Sequence, residues 1–142
     1  MSGICLAQAG LGVVHGLAAA LGARFPIAHG IACGATLAAG VEANIAALES
    51  RSPAGQALER YAVLGRLLSR LPEGTPPAQA RRALVELLRS WAGELRVPGL
   101  GAFGVAPGDL AAIVADSRGS SMRTNPVVLA DDEVLWVLRE SL

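Results

Sequence analysis

The chain has two histidines, and both stand in the same local frame, His15-Gly16 and His29-Gly30. Neutral imidazole is the commonest protein ligand for a metal ion. Two of them, fourteen residues apart on consecutive helices, can reach one point. Two donors do not complete a site, because a structural or catalytic ion takes about four to six, so other groups must join them. Spacing alone also allows the plainer roles, a hydrogen-bonded core or surface histidine. Cys33 lies one helical turn after His29 and could approach a metal. A buried thiol packing as a small hydrophobe is the reading favoured for it and for Cys5. Ser121 and Asn125 suit loop capping and turn formation. Asp131, Asp132 and Glu133 read as helix-start charges, not as a carboxylate pair for acid–base work.

The elements that must position these residues read as helices. Ile4, Leu11, Val14, Leu17, Ala18 and Leu21 recur at helical spacing, with Gly22 as a stop, which puts His15 toward the end of a first helix. Gly10, Gly12 and Gly16 each weaken such a helix by about 1 kcal/mol relative to Ala. Their presence implies that another backbone, or a ligand, approaches closely. After a connector at Arg24–Ala28, a second helix is expected from about His29 to Glu49. Ser52-Pro53 signals the start of a third, which carries Leu58, Tyr61, Ala62, Leu64, Leu67, Leu68 and Leu71. Pro72–Pro77 breaks it. Thr75-Pro76 caps a fourth with Leu84, Leu87, Leu88, Trp91 and Leu95. A Gly/Pro-rich loop covers 97–108, and a short helix carries Leu110, Ile113 and Val114. The stretch 118–126 reads as the most polar loop. A last helix begins near Asp131 and turns Val134, Leu135, Val137 and Leu138 inward. Trp91 and Trp136 are expected in the core. With no strand alternation, the fold class is all-α, a bundle of about six helices in one domain, 1–142.

Composition agrees. Hydrophobic residues make up 52% of the chain and aromatic ones only 4%, so the core is aliphatic and alanine-rich, which suits close-packed helices better than a sandwich. Twelve basic and twelve acidic residues cancel, which argues against nucleic acid as a partner. All the cations are arginine, a sign of coding bias. Two cysteines make no disulfide framework, and a reducing, cytoplasmic location is expected. No charge occurs from Met1 to Ala23 or from Phe25 to Val41. A hairpin crossing a membrane is therefore weighed, and disfavoured, because Gly, Ala, Ser2, Gln8 and His15 give poor insertion energy. No cation precedes the apolar run, as a signal peptide requires.

The stretch from Gly10 to Asn44 resembles the signature of the iron-containing (group III) alcohol dehydrogenases. The pattern is His-Gly-x-Ala-x-x-Leu-Gly, six residues, then His-Gly. It is met by His15, Gly16, Ala18, Leu21, Gly22, His29 and Gly30. Glu42 and Asn44 continue the likeness, as do Ser121–Pro126 and the acidic helix start behind them. The resemblance implies the C-terminal helical part of the dehydroquinate synthase-like/iron alcohol dehydrogenase fold, without the N-terminal nucleotide-binding α/β domain. It implies that His15 and His29 are two of four metal ligands, the others being an aspartate and a histidine from an earlier helix. It places Ser121 and Asn125 near the substrate pocket. Gly99–Gly104 fits G-x-G-x-x-G by letters only, since no strand precedes it.

The implied function is the metal-binding portion of an NAD- or NADP-linked alcohol dehydrogenase that interconverts an alcohol with an aldehyde or ketone. The implied cofactor is a divalent ion, iron(II) first and zinc as the alternative, with the nucleotide bound mainly by the other domain. Ala19 departs from the family, which carries a further histidine there, and Ala38-Ala39 stands where a Pro-His pair is frequent. The chain alone is expected to be catalytically incomplete and to associate, as a homo-oligomer or with a chain carrying the N-terminal half. The competing reading is a non-catalytic helical scaffold module whose histidines are relics.

Overall fold

The computed structural model describes residues 10–142, so Ile4 and Cys5 lie outside the described residues. Among the described residues seven α-helices follow in order: α1 Val13–Arg24, α2 His29–Arg51, α3 Gln56–Leu68, α4 Pro77–Glu94, α5 Leu110–Asp116, α6 Ser120–Arg123 and α7 Asp131–Glu140. Short 3₁₀ turns at Leu100–Phe103 and Pro107–Asp109 punctuate the segment expected as a plain loop. No strand occurs among the described residues, and the all-α expectation holds.

The central element is α2. Ala32, Thr36, Ala39, Gly40 and Ala43 form a buried row of small residues along it. Against that row α1 buries Val13, Leu17, Ala18 and Leu21, and α7 buries Val134, Val137 and Leu138. Each fully buried Val or Leu contributes about 1.5–3 kcal/mol. The Thr36 hydroxyl, wholly buried, donates back to the Ala32 carbonyl at 2.8 Å and so meets no apolar wall unpartnered. A smaller cluster forms at the other end of α2, where Ile45 and Leu48 meet Leu58 of α3 and Val85 of α4. By length and composition α2 could also cross a membrane, with a mean hydropathy of 1.5. Half of that window is buried against the other helices.

Several boundaries and faces differ from expectation. The Ser52-Pro53 signal makes a turn, closed by Gly55 N–H to Ser52 O at 2.8 Å, and α3 starts at Gln56. It ends at Leu68, before Arg70 enters the left-handed region at φ 51°, so Leu71 lies outside it. The cap of α4 is Pro76, not Thr75, with Pro77 at the first helical position. The polar loop at 118–126 contains the one-turn helix α6. Trp136 is half-buried against the main core, but Trp91 is 40% exposed. So are Val63, Leu64, Leu67, Leu68 and Leu95, with Leu67 at 68%. Their stripe is apolar as read, but nothing among the described residues covers it.

The start of α7 is as expected. The Glu133 carboxylate accepts from the Ala130 N–H at 2.7 Å and pairs with Arg51, whose guanidinium also donates to Val128 O at 2.5 Å. Partial burial works to raise the Glu133 carboxyl, but the Arg51 and Ala130 hydrogen bonds outweigh it and hold it below the usual carboxylate range. A carboxyl depressed in the folded state stabilises fully above its unfolded value, roughly pH 4.3, and that contribution fades as pH falls through the folded value. Glu133→Gln should therefore lose about 0.5–1 kcal/mol at neutral pH, with the gap to wild type narrowing below about pH 4 in urea melts. Gly65 tests the α3–α4 hairpin, since a Cβ there would stand 1.9 Å from the Ala80 carbonyl oxygen. Gly65→Ala should destabilise by about 2–3 kcal/mol, because backbone cannot yield as a flexible side chain does.

Candidate metal centre

The site begins with what fixes the N-terminus of α1. No side chain of its own caps the helix. Instead Thr124 and Asn125, just beyond α6, reach it from the far end of the sequence. The Thr124 hydroxyl accepts from Leu11 N–H at 3.0 Å and donates to Leu11 O at 2.6 Å. Asn125 Oδ1 accepts from Val13 N–H at 3.0 Å. Its Nδ2 donates to Asn44 Oδ1 on α2 and to Val127 O, both at 2.7 Å. Asn44 Nδ2 in turn reaches the Tyr61 hydroxyl of α3 at 3.2 Å. Burial pushes the Tyr61 phenol up, and the Asn44 hydrogen bond offsets this only in part. One carboxamide thus ties α1, α2 and the α6 segment together. The close approach inferred for the three glycines is real, and its partner is this segment. Cβ atoms at Gly10 and Gly12 would strike Thr124 and Asn125, and one at Gly16 would lie 3.1 Å from Ser117 O.

This cap sets the helical phase of His15. The residue is the third of α1, near the start of the helix, not near its end as the periodicity suggested. His29 is the first residue of α2. The packing of α1 on α2 brings the two rings to a centroid separation of 5.3 Å, tilted by 52°. His15 is half-buried and His29 exposed, so the pair faces solvent on one side. Cys33 joins them. It is half-buried, not buried as expected, and its Sγ lies 3.5 Å from His29 Nε2. Partial burial pushes its thiol up. The donor atoms of His15, His29 and Cys33 all lie within 4.8 Å of one another. The His29–Cys33 spacing of one turn was the signal for this third member, since residues four apart share a helix face.

The other named residues sit as follows. Ala19, one turn beyond His15, is exposed and carries no titratable group. Ser121 is half-buried in α6, and its carbonyl lies 3.1 Å from the Thr124 hydroxyl. Asn125 lines a cavity of about 250 Å³ with Leu11, Val14, Val41, Asn44 and Tyr61. Neither histidine lines that cavity. What the structure assigns to Asn125 directly is the anchoring of α1. Asn125→Ala removes an N-cap acceptor and two donors, so a loss of about 2–3 kcal/mol is expected. Thermal melts should show it as a drop of roughly 5–10 °C.

A family model described as the Fe-containing alcohol dehydrogenase family, C-terminal, matches residues 1–142. No curated protein matches the chain. Among solved structures, the chain is similar to a crystal structure of 1,3-propanediol oxidoreductase, with a TM-score of 0.84 at 20% identity. That likeness covers 99% of this chain and 35% of the other, so the chain spans about a third of its length. At this identity the likeness speaks for the fold, and it is an all-α part of that larger protein. With all 142 of its residues matched by the family model, the chain belongs to the Fe-containing alcohol dehydrogenase family, as its C-terminal helical domain.

Proposed function

We propose that this chain is the metal-binding helical portion of an NAD(P)-linked alcohol dehydrogenase, acting by hydride transfer on a small alcohol or aldehyde. The observation that carries the reading is the convergence of His15 and His29, from two helices, on one solvent-facing point. The donor set fits a divalent transition ion, with two imidazole nitrogens and a sulfur within 4.8 Å. A bound ion supplies Lewis acidity toward an alcohol or carbonyl oxygen. The chain's own part is to hold the donors rigidly and to leave one side open. The α1–α2 packing and the Asn125 cap do the first. The exposure of His29 and Gly30 does the second.

Ser121 and Asn125 are assigned to the substrate side through the family likeness. Support from geometry is that Asn125 grips the same end of α1 that carries His15. Ala19 offers no proton relay, so any relay at the site runs through water, the nucleotide ribose or another residue. The nucleotide requires an α/β half, and the described residues form no sheet to supply it. Activity therefore depends on that half, from this polypeptide or another chain, in a reducing cytoplasm. The uncovered apolar stripe on α3 favours association over a free monomer.

Anaerobic equilibrium dialysis against iron(II), with metal analysis of the protein, tests the reading. One ion per chain is expected at saturation, lost in both His15→Ala and His29→Ala. Equal uptake by all three, or none by wild type, sinks it and leaves a helical scaffold with relic histidines. Size-exclusion chromatography with light scattering should report a mass above that of the 14.5 kDa chain. A clean monomer at high concentration contradicts the association.

A further inference from the structure

We infer that the outward face of α3 is a homodimer interface, on which a second copy of this chain packs its own α3 antiparallel across a two-fold axis at Leu67. The inference rests on the association proposed above and names its surface, its occupant and its geometry. Three observations carry it. First, α3 turns larger apolar side chains outward than inward. Its inner face is Leu58, Ala62 and Gly65, with Gly65 pressed on the Ala80 carbonyl. Its outer face carries Val63, Leu64 and Leu67, which are 51%, 43% and 68% exposed. A helix with only solvent outside it places polar residues there, so an apolar outer ridge calls for cover. Second, ridge and hole lie side by side. A groove of about 590 Å³ follows the ridge, lined by Val63, Arg66, Leu67, Arg70, Leu71 and Glu73. Under a two-fold axis each copy offers the same ridge and the same groove, so Leu64 and Leu67 of one can enter the groove of the other. Third, the charges complement themselves. Arg60 lies two turns before Leu67 on the outer face, and Glu73 closes the groove at its other end. Both are exposed, and neither makes an ion pair among the described residues.

Orientation follows from the charges. Antiparallel pairing centred on Leu67 sets Arg60 of each copy beside Glu73 of the other, twice per dimer. Parallel pairing sets like against like. Glu59 is already held by Arg66 within the chain. With acids and arginines both ringing the ridge, the surface suits its own copy better than a partner of one charge sign, such as an anionic lipid surface. The ridge offers on the order of a few hundred Å² of apolar area per copy. A standard interface buries about 800 Å² per partner, so the dimer is weak and depends on concentration. The exposed ion pairs add little to its affinity and serve to fix the pairing.

Sedimentation equilibrium of the 142-residue chain across a concentration series tests this, with circular dichroism melts to show that each variant is folded. Wild type should fit a monomer–dimer equilibrium. Leu67→Glu, at the axis, should raise the dimer Kd by more than about tenfold. Leu95→Glu, 77% exposed at the end of α4, should leave it within about twofold. Arg60→Glu and Glu73→Arg should each weaken the dimer by roughly 2–30-fold, because two pairs turn repulsive. An equimolar mixture of those two variants should regain wild-type strength, since every cross-contact then joins opposite charges. Association unchanged in Leu67→Glu, or weakened as much by Leu95→Glu, overturns the α3 interface and leaves association through another surface. A mixture no tighter than either charge variant alone overturns the antiparallel pairing. A wild type that gains mass only with a chain carrying the N-terminal half, or only on anionic vesicles, overturns the second copy as occupant. A monomer under all these conditions removes the association as well.

Discussion

The close packing of α1 on α2 is the constraint from which the rest follows. It is possible because α2 presents Ala32, Thr36, Ala39, Gly40 and Ala43 where larger residues would hold the helices apart. Val13 and Val14 come within 3.1–3.3 Å of where a side chain on Gly40 would stand. Leu17 and Leu21 are wholly buried in the same seam. Two imidazoles carried by separate helices meet only if those helices are this close and in this phase. The aliphatic, alanine-rich composition is thus a condition for the site as well as for the core.

Phase along α1 is set from elsewhere. Asn125 caps the Val13 amide across a separation of 112 residues and also bonds Asn44 on α2. The segment after α6 is therefore a clamp, not a free loop. Arg118 strengthens its base by pairing with Asp131 and donating to Leu129 O at 2.8 Å. Arg24, at the far end of α1, pairs with Asp116 at the end of α5. These exposed pairs add little stability singly, about a kilocalorie or less.

Much of this was legible in the sequence, because α1, α5 and α7 bury most of what their spacing says they bury. The helix starts at His29 and Asp131 were read correctly, as was the close approach at Gly16. The family was legible through the paired His-Gly elements. What escaped has physical causes. The position of His15 within its helix depends on a cap from a distant residue, which no local window contains. Ser52-Pro53 suits a turn as well as a helix start, and with α2 running on to Arg51 it serves as the turn before α3. The apolar stripe through Leu64, Leu67 and Leu68 shows which side of α3 is apolar, but periodicity does not say whether anything covers it. The one-turn spacing of His29 and Cys33 was visible, yet only the rotamers show the sulfur turned toward the ring.

The central claim is that the α1–α2 packing presents a donor set already gathered for one ion. Anomalous diffraction from crystals of the zinc-loaded chain tests it most directly. The account predicts a single strong peak between the N-terminal turns of α1 and α2, about 2.0–2.1 Å from the His15 and His29 nitrogens, with both helices unmoved. A peak elsewhere, or one reached only by displacing α1 from α2, would contradict it.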